Sequence, residues 1–267
     1  VNFLPQHLSF SSLSSYESCP RQWYLARVRH AEERQTWFFP IGSAVHASIE
    51  SYIASGVVPD FEGIFYPLVV QQMQIDPDDL NWLAGGPKDD PFIRDKAVQL
   101  GKDCVERAVT FLEDVTVHEV EYDATGMLPG CEVPIKAFVD ILGEHKKHGP
   151  VIVDWKSSAS KPKTNLQLEV YRALLSNQGM QRYTTGLWAM LRPGTSKARP
   201  VDLSSVDPSA LGARFQKCYD DIKARIWKTN HSFDCNFCIQ QDNCLLVAGP
   251  TERANFYDRA VEDGFPF

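Results

Sequence analysis

The sequence lacks any apolar run approaching the roughly 18 to 20 residues needed to span a bilayer. Its first residues also lack the basic, then apolar, then small order of a signal peptide. Both absences lead to the expectation of a cytoplasmic protein with no membrane partner. A basic excess is missing too: 27 Lys and Arg stand against 34 Asp and Glu, a formal net charge of −7. Broad nonspecific affinity for a polyanion is therefore not expected. With 16 Gly and 17 Pro in 267 residues the chain is neither collagen-like nor low in complexity, and no internal repeat is apparent. What is present, 43% hydrophobic, 11% aromatic and 23% charged residues, is the composition of a globular protein. The length suits one α/β catalytic domain carrying extra segments.

Seven cysteines in a reducing compartment favour metal ligation or free thiols over a disulfide framework. Basic residues cluster at Arg21, Arg27 and Arg29, at Lys146 and Lys147, at Lys156, Lys161 and Lys163, and at Arg192, Lys197 and Arg199. Each cluster alone reads as a solvated face.

Serines opening residues 8–29 can cap a helix, and Cys19-Pro20 interrupts the pattern, which predicts two short helices broken at a cysteine. In 41–53, Val45, Ile49 and Ile53 recur at helical spacing, and His46 and Glu50, four residues apart, share a face. Residues 57–91, with Pro, Gly and Asp, read as an insertion or loop before a long helix over 92–114. The segments 117–122, 132–142, 151–156 and 185–191 have the β-branched and aromatic signature of strands. Helices are expected over 165–177 and 208–228. The fold class is therefore α/β, with a central mixed sheet flanked by helices.

The alternation of residues in 132–142 sets Asp140 on the face opposite Val139 and Ile141, and in 151–156 it sets Asp154 and Lys156 on one face. A hairpin about the 143–150 loop with its register centred near Lys147 puts Asp140 opposite Asp154. Facing carboxylates repel unless a cation sits between them, so a divalent metal site is expected. Mg²⁺ and Mn²⁺ favour such oxygen donors, and the inferred chemistry is phosphodiester hydrolysis, with Lys156 orienting or deprotonating a water. Asp-x-Lys alone is common by chance. Gln167 and Tyr171 add an amide and a phenol on one helical face, beginning eleven residues after Lys156.

Taken in order, His46, Asp140, Asp154-x-Lys156 and Gln167-x-x-x-Tyr171 resemble the PD-(D/E)XK nuclease superfamily, and more closely its RecB-like branch. The segment Gly42-Ser43-Ala44-Val45-His46 matches the branch's G-x-x-x-H helix, which implies that His46 is a metal ligand with Asp140 and Asp154. Ala137 departs from the pattern, standing three residues before Asp140 where the family often has glycine.

Cys235-x2-Cys238-x5-Cys244 supplies three soft ligands. With Cys19 as the fourth, the split arrangement resembles the iron-sulfur nucleases related to RecB, such as CRISPR-associated adaptation exonucleases and AddB nuclease domains. The resemblance implies a [4Fe-4S] cluster in a module formed by both chain ends; Zn²⁺ on the same thiolates is the alternative. Cys104, Cys131 and Cys218 read as buried small residues.

The expected organisation is N-terminal helices over 1–56, a helical insertion over 57–115, a restriction-endonuclease-like core over 116–206, and a final helix, cysteine segment and tail over 207–267. The resemblance implies a Mn²⁺- or Mg²⁺-dependent exonuclease acting on DNA ends, single-stranded or frayed. It further implies a role in recombination, repair or CRISPR adaptation, with helicase, recombination or adaptation proteins as partners. The host would be a bacterial, archaeal or phage-infected cell. The alternative is a non-catalytic DNA-end-binding or assembly subunit with the nuclease fold. Trp23, Tyr24 and Trp155 could stack bases, although core packing is the commoner role of such residues.

Overall fold

The structure, a computed structural model, describes residues 3–33, 38–74, 76–79, 93–158, 162–195, 198–230, 235 and 238–244. Lys161, Lys197, the expected helix start at Phe92 and the polar tail after Cys244 lie outside the described residues. The chain divides into two compact units, one of residues 6–10 and 36–217, the other of 1–5, 11–35 and 218–267.

The larger unit is built on a five-stranded sheet. Its strands are β2 (Val115–Asp123), β4 (Phe138–His145), β5 (Gly149–Lys156), β6 (Thr185–Met190) and β7 (Ala198–Asp202), in the order β2-β4-β5-β6-β7. All neighbours are antiparallel except β5 and β6. That parallel step needs a crossover, and α6 (Leu166–Asn177) supplies it. The sheet is therefore mixed, as expected. Two shorter strands, β1 (Leu8–Ser9) and β3 (Ile135–Lys136), pair in parallel as a separate ribbon, so the strand expected over 132–142 is divided at Ala137.

One face of the sheet carries α3 (Phe38–Ser55), α4 (Phe61–Met73) and α5 (Ile93–Leu112). Ile41, Val45 and Ile49 of α3 and Phe65 and Val69 of α4 pack with Ile141, Val153 and Trp155 in one core. Each apolar side chain buried there contributes roughly 1.5 to 3 kcal/mol. On α6, Gly186 of β6 decides the approach: a Cβ at that position would lie 2.8 Å from a Leu168 methyl. The missing side chain lets α6 sit close to the sheet, which matters because α6 carries Gln167 and Tyr171.

The segment 57–91, read as an insertion or loop, contains the helix α4. Asp60 caps that helix, its carboxylate accepting the N–H groups of Glu62 and Gly63 at 3.3 and 3.2 Å. Pro67 lies inside it and removes one backbone donor, an interior position that normally costs about 3 kcal/mol. Burial of Phe61, Phe65 and Val69 at four-residue spacing offsets that cost. α7 (Pro208–Lys223) ends before residue 228, where Arg225 takes a left-handed conformation at φ 57°.

In the smaller unit, α1 (Phe10–Ser18) and α2 (Pro20–Arg27) are separated at Cys19, the N-cap residue of α2, with Pro20 in its first turn. Tyr16, Trp23, Tyr24 and Trp227 pack there as an aromatic group. The two ends of the chain are joined within this unit: the Tyr16 hydroxyl donates to the Ile226 carbonyl at 2.7 Å, and Asn243 Nδ2 donates to the Glu32 carbonyl at 2.7 Å.

Candidate active site

Register is the first element of the site. β4 and β5 pair Ile141 with Val153 and Leu142 with Ile152; one residue further along, Asp140 stands level with Asp154. There the ladder changes partner, because the backbone N–H of Trp155 donates to Asp140 Oδ2 at 2.7 Å. Both carboxylates are buried, Asp140 at 7% and Asp154 at 1% exposure. Burial in a low-dielectric wall beside a second anion raises the proton affinity of Asp154. Accordingly burial, followed by the Asp140 charge, pushes the Asp154 pKa up, against the pull of Lys156.

Asp154, Lys156, Gln167 and Tyr171 close a ring of contacts. Lys156 Nζ lies 2.5 Å from Asp154 Oδ2 and donates to Gln167 Oε1 at 3.1 Å. Gln167 Nε2 donates to the Tyr171 hydroxyl at 2.8 Å, and that hydroxyl donates to Asp154 Oδ1 at 3.4 Å. The four residues whose chemistry was inferred from spacing thus meet on one side of the sheet. Trp188, not singled out in the sequence, completes the seat of the lysine: it pairs with Asp154 across β5 and β6, its ring lies 5.1 Å from Lys156 Nζ, and its indole donates to Asn165 at 3.1 Å.

A second group faces Asp140 from the other side. His46 Nδ1 lies 3.5 Å from Asp140 Oδ1. His46, Asp140 and Glu121 each offer a ligand atom, all within 4.8 Å of one another. An imidazole and two carboxylates form a donor set suited to Mn²⁺ or Mg²⁺. Of the three expected metal ligands, His46 and Asp140 converge here, while the Asp154 oxygens are engaged by Lys156 and Tyr171.

Glu121 was not anticipated, and a bulge in β2 explains why. The pairing shifts between Val117 and Glu119. Before the shift Val115 and Val117 face the core, whereas after it Val120 and Tyr122 oppose Ile141 and Val139, so Glu121 turns to the Asp140 side. The change of apolar parity from odd to even positions along 115–123 is the sequence signal that reveals the bulge. Glu121 itself has φ 47°, a left-handed conformation costing on the order of 1 to 2 kcal/mol for a side-chain-bearing residue. Such strain concentrates at functional sites.

The protonation of this group is shifted in one direction. Burial, then Asp140 and Glu50, push the Glu121 carboxyl up to about 7. Glu50 is raised by burial, the His46 charge opposing and Asp140 reinforcing. For His46, burial works to lower the pKa, but its hydrogen bond with Asp140 and the surrounding carboxylates leave it raised. A divalent cation bound there would relieve this excess of negative charge.

The four cysteines expected to bind metal are all half-exposed, whereas Cys104, Cys131 and Cys218 are buried. Within the smaller unit, burial pushes the Cys238 thiol up, and Cys244, Cys19 and Cys235 push in the same direction. The Cys235 carbonyl accepts the N–H of Cys238 at 3.3 Å. These residues therefore share one neighbourhood, with the buried Arg21 guanidinium acted on by both Cys244 and Cys19. Trp23, Tyr24 and Trp155 are buried at 2%, 6% and 3% exposure, so they pack in the core, the commoner of their two roles, and offer no faces to bases.

No helix among the described residues is long and apolar enough to cross a membrane. Curated proteins give no match to the sequence. Among solved structures, the crystal structure of SSO0001 is similar to this chain at 11% identity and a TM-score of 0.38, with 78% of this chain and 97% of that chain covered. A model of the PD-(D/E)XK nuclease superfamily matches residues 7–244, a span that contains every site residue described above. The chain belongs to the PD-(D/E)XK nuclease superfamily, whose members are metal-dependent nucleases.

Proposed function

We propose that this protein is a Mn²⁺- or Mg²⁺-dependent DNA exonuclease of the RecB-like, iron-sulfur branch, acting on single-stranded ends. The observation that carries the reading is the closed ring of Asp154, Lys156, Gln167 and Tyr171 beside the group of His46, Glu121 and Asp140. A non-catalytic end-binding subunit has no need of a lysine held against a buried carboxylate.

His46, Asp140 and Glu121 would hold the metal, with Asp154 joining them once Lys156 turns towards substrate. A cation held there would supply Lewis acidity at the scissile phosphate and would acidify a bound water. Lys156 places its charge where the phosphoryl oxygens become more negative, and Gln167 fixes the direction from which the ammonium approaches. Tyr171 keeps Asp154 in position and excludes bulk water from its inner oxygen. Burial, reinforced by Asp154, holds the phenol well above its ordinary pKa, so it acts as a donor and not as a base.

Cys19, Cys235, Cys238 and Cys244 would hold a [4Fe-4S] cluster whose work is structural, tying residue 19 to the segment 235–244. The shared neighbourhood of the four thiols supports this reading. Zn²⁺ is the competing occupant, and iron and acid-labile sulfide analysis of anaerobically purified protein separates the two. Recombination, repair or CRISPR adaptation is the matching setting, with helicase, recombination or adaptation proteins as partners.

Digestion of linear and circular single-stranded DNA in Mn²⁺ tests the exonuclease reading. Linear DNA is expected to shorten from its ends while circles survive. Equal cutting of circles, or inert linear DNA, overturns it.

A further inference from the structure

The exposed large apolar side chains of the described residues include two aromatics, Phe39 and Phe138, and both sit on elements that carry site residues. Phe39 lies two helical turns before His46 on α3. Phe138 opens β4, two residues before Asp140, so the two side chains leave the same face of the strand about 7 Å apart. At 41% exposure Phe138 presents apolar ring surface to water immediately beside a cluster of carboxylates.

Lys136 adds the second chemical element. Its Nζ lies 5.4 Å from the centre of the Phe138 ring. Asp123 stands opposite Phe138 across β2 and β4, and its carboxyl is held low by Thr125, with Lys136 contributing. Lysine and aspartate thus balance one another near the ring, and a phosphate approaching Phe138 meets neither a bare anion nor an isolated cation. An ammonium on a flexible stem can leave the ring face and follow a phosphate.

We infer that Phe138 and Lys136 form a nucleotide platform, the ring stacking on the unpaired base next to the phosphate that a cation on His46, Glu121 and Asp140 would hold, and the lysine contacting that nucleotide's backbone. Interior bases of a duplex have both faces covered by their neighbours and a terminal base is held in place by its pair, so only an unpaired base can turn a free face onto Phe138. The platform thereby deepens the proposed function by selecting single-stranded ends, and it rests on that reading for the placement of the phosphate.

Equilibrium binding tests it. The Lys156→Gln variant in Mn²⁺ retains the metal-ligating groups and serves as the parent, and fluorescence anisotropy with a labelled single-stranded oligonucleotide, a blunt duplex and an abasic single strand is the readout. Phe138→Ala is expected to weaken binding of the ordinary single strand about tenfold, leave the duplex and the abasic strand unchanged, and be rescued by Phe138→Trp. Lys136→Gln should lower the salt dependence of single-strand binding by about 0.7 in log-log slope. The exposed Val70→Ala on α4 is the control and should bind like the parent. Unchanged single-strand affinity in Phe138→Ala, equal losses on all three ligands, or a parent with no preference for the single strand overturns the platform. A wild type that binds single strands through Phe138 yet cleaves none leaves the platform standing and removes the exonuclease reading.

Discussion

The Oδ2 atom of Asp140 accepts the backbone N–H of Trp155 at 2.7 Å, so the first carboxylate of the site is fastened to the strand that carries the second. The carboxylate therefore faces two ways, one oxygen bonded into the sheet and the other turned to His46. Asp140→Asn keeps an acceptor oxygen and removes the charge facing Asp154. Asp140→Ala leaves the Trp155 N–H without its acceptor, a loss of roughly 1 to 3 kcal/mol. Urea denaturation of the metal-free variants should rank Asn at or above wild type and Ala below it, while both lose Mn²⁺ binding in calorimetry. An alanine variant as stable as wild type would show that the hydrogen bond carries no structural weight.

Metal-free stability should fall as pH rises. Glu121 is held at about 7 in the fold against 4.5 for the free side chain, so the folded state binds more protons between those values. Asp154 and Glu50 are raised as well and act in the same sense. His46 is also raised; its stabilising charge is present at low pH and is lost as pH climbs through the folded value. All four trends agree. The apo melting temperature should therefore drop between about pH 5 and pH 8, and added Mn²⁺ should stabilise more at the upper end, where its ligands are deprotonated. A metal-free melting temperature that rises over this interval would contradict the charge arrangement described.

Glu121 provides a sharper test of strain against function. Glycine adopts φ 47° without penalty and carries no charge to repel Asp140. Glu121→Gly should leave the metal-free protein at least as stable as wild type, yet weaken Mn²⁺ binding at least tenfold. Full metal affinity in this variant would remove Glu121 from the ligand set.

Much of this site was legible because its signals are local. Period-two alternation is enough to put Asp154 and Lys156 on one face, and a hairpin centred on Lys147 is enough to set Asp140 level with Asp154, as the observed register does. Helical spacing likewise brought Gln167 and Tyr171 together. Glu121 was hidden because a bulge reverses the alternation on which that reasoning depends. Trp188 was hidden because its role arises from a parallel pairing with a strand more than thirty residues away. The bounds of α4 were not legible within 57–91 because Pro67 weakens the local signal that tertiary burial overrides, and β7 was missed as a short edge strand containing Pro200.

The cysteine neighbourhood predicts an asymmetry among substitutions. Cys19→Ser should lose bound metal and lower the melting temperature together, whereas Cys104→Ser, a fully buried position on α5, should lose some packing and keep the metal. Metal content by elemental analysis is the deciding readout. A full complement of metal in Cys19→Ser would exclude Cys19 as a ligand.

The proposed mechanism rests on the buried Asp154 and the ammonium beside it acting as catalytic groups. Initial rates on end-labelled single-stranded DNA in saturating Mn²⁺, compared between wild type and a folded Asp154→Asn variant, test it most directly. A loss of at least about a hundredfold is expected in the variant; cleavage by Asp154→Asn at the wild-type rate would rule out a catalytic role for Asp154.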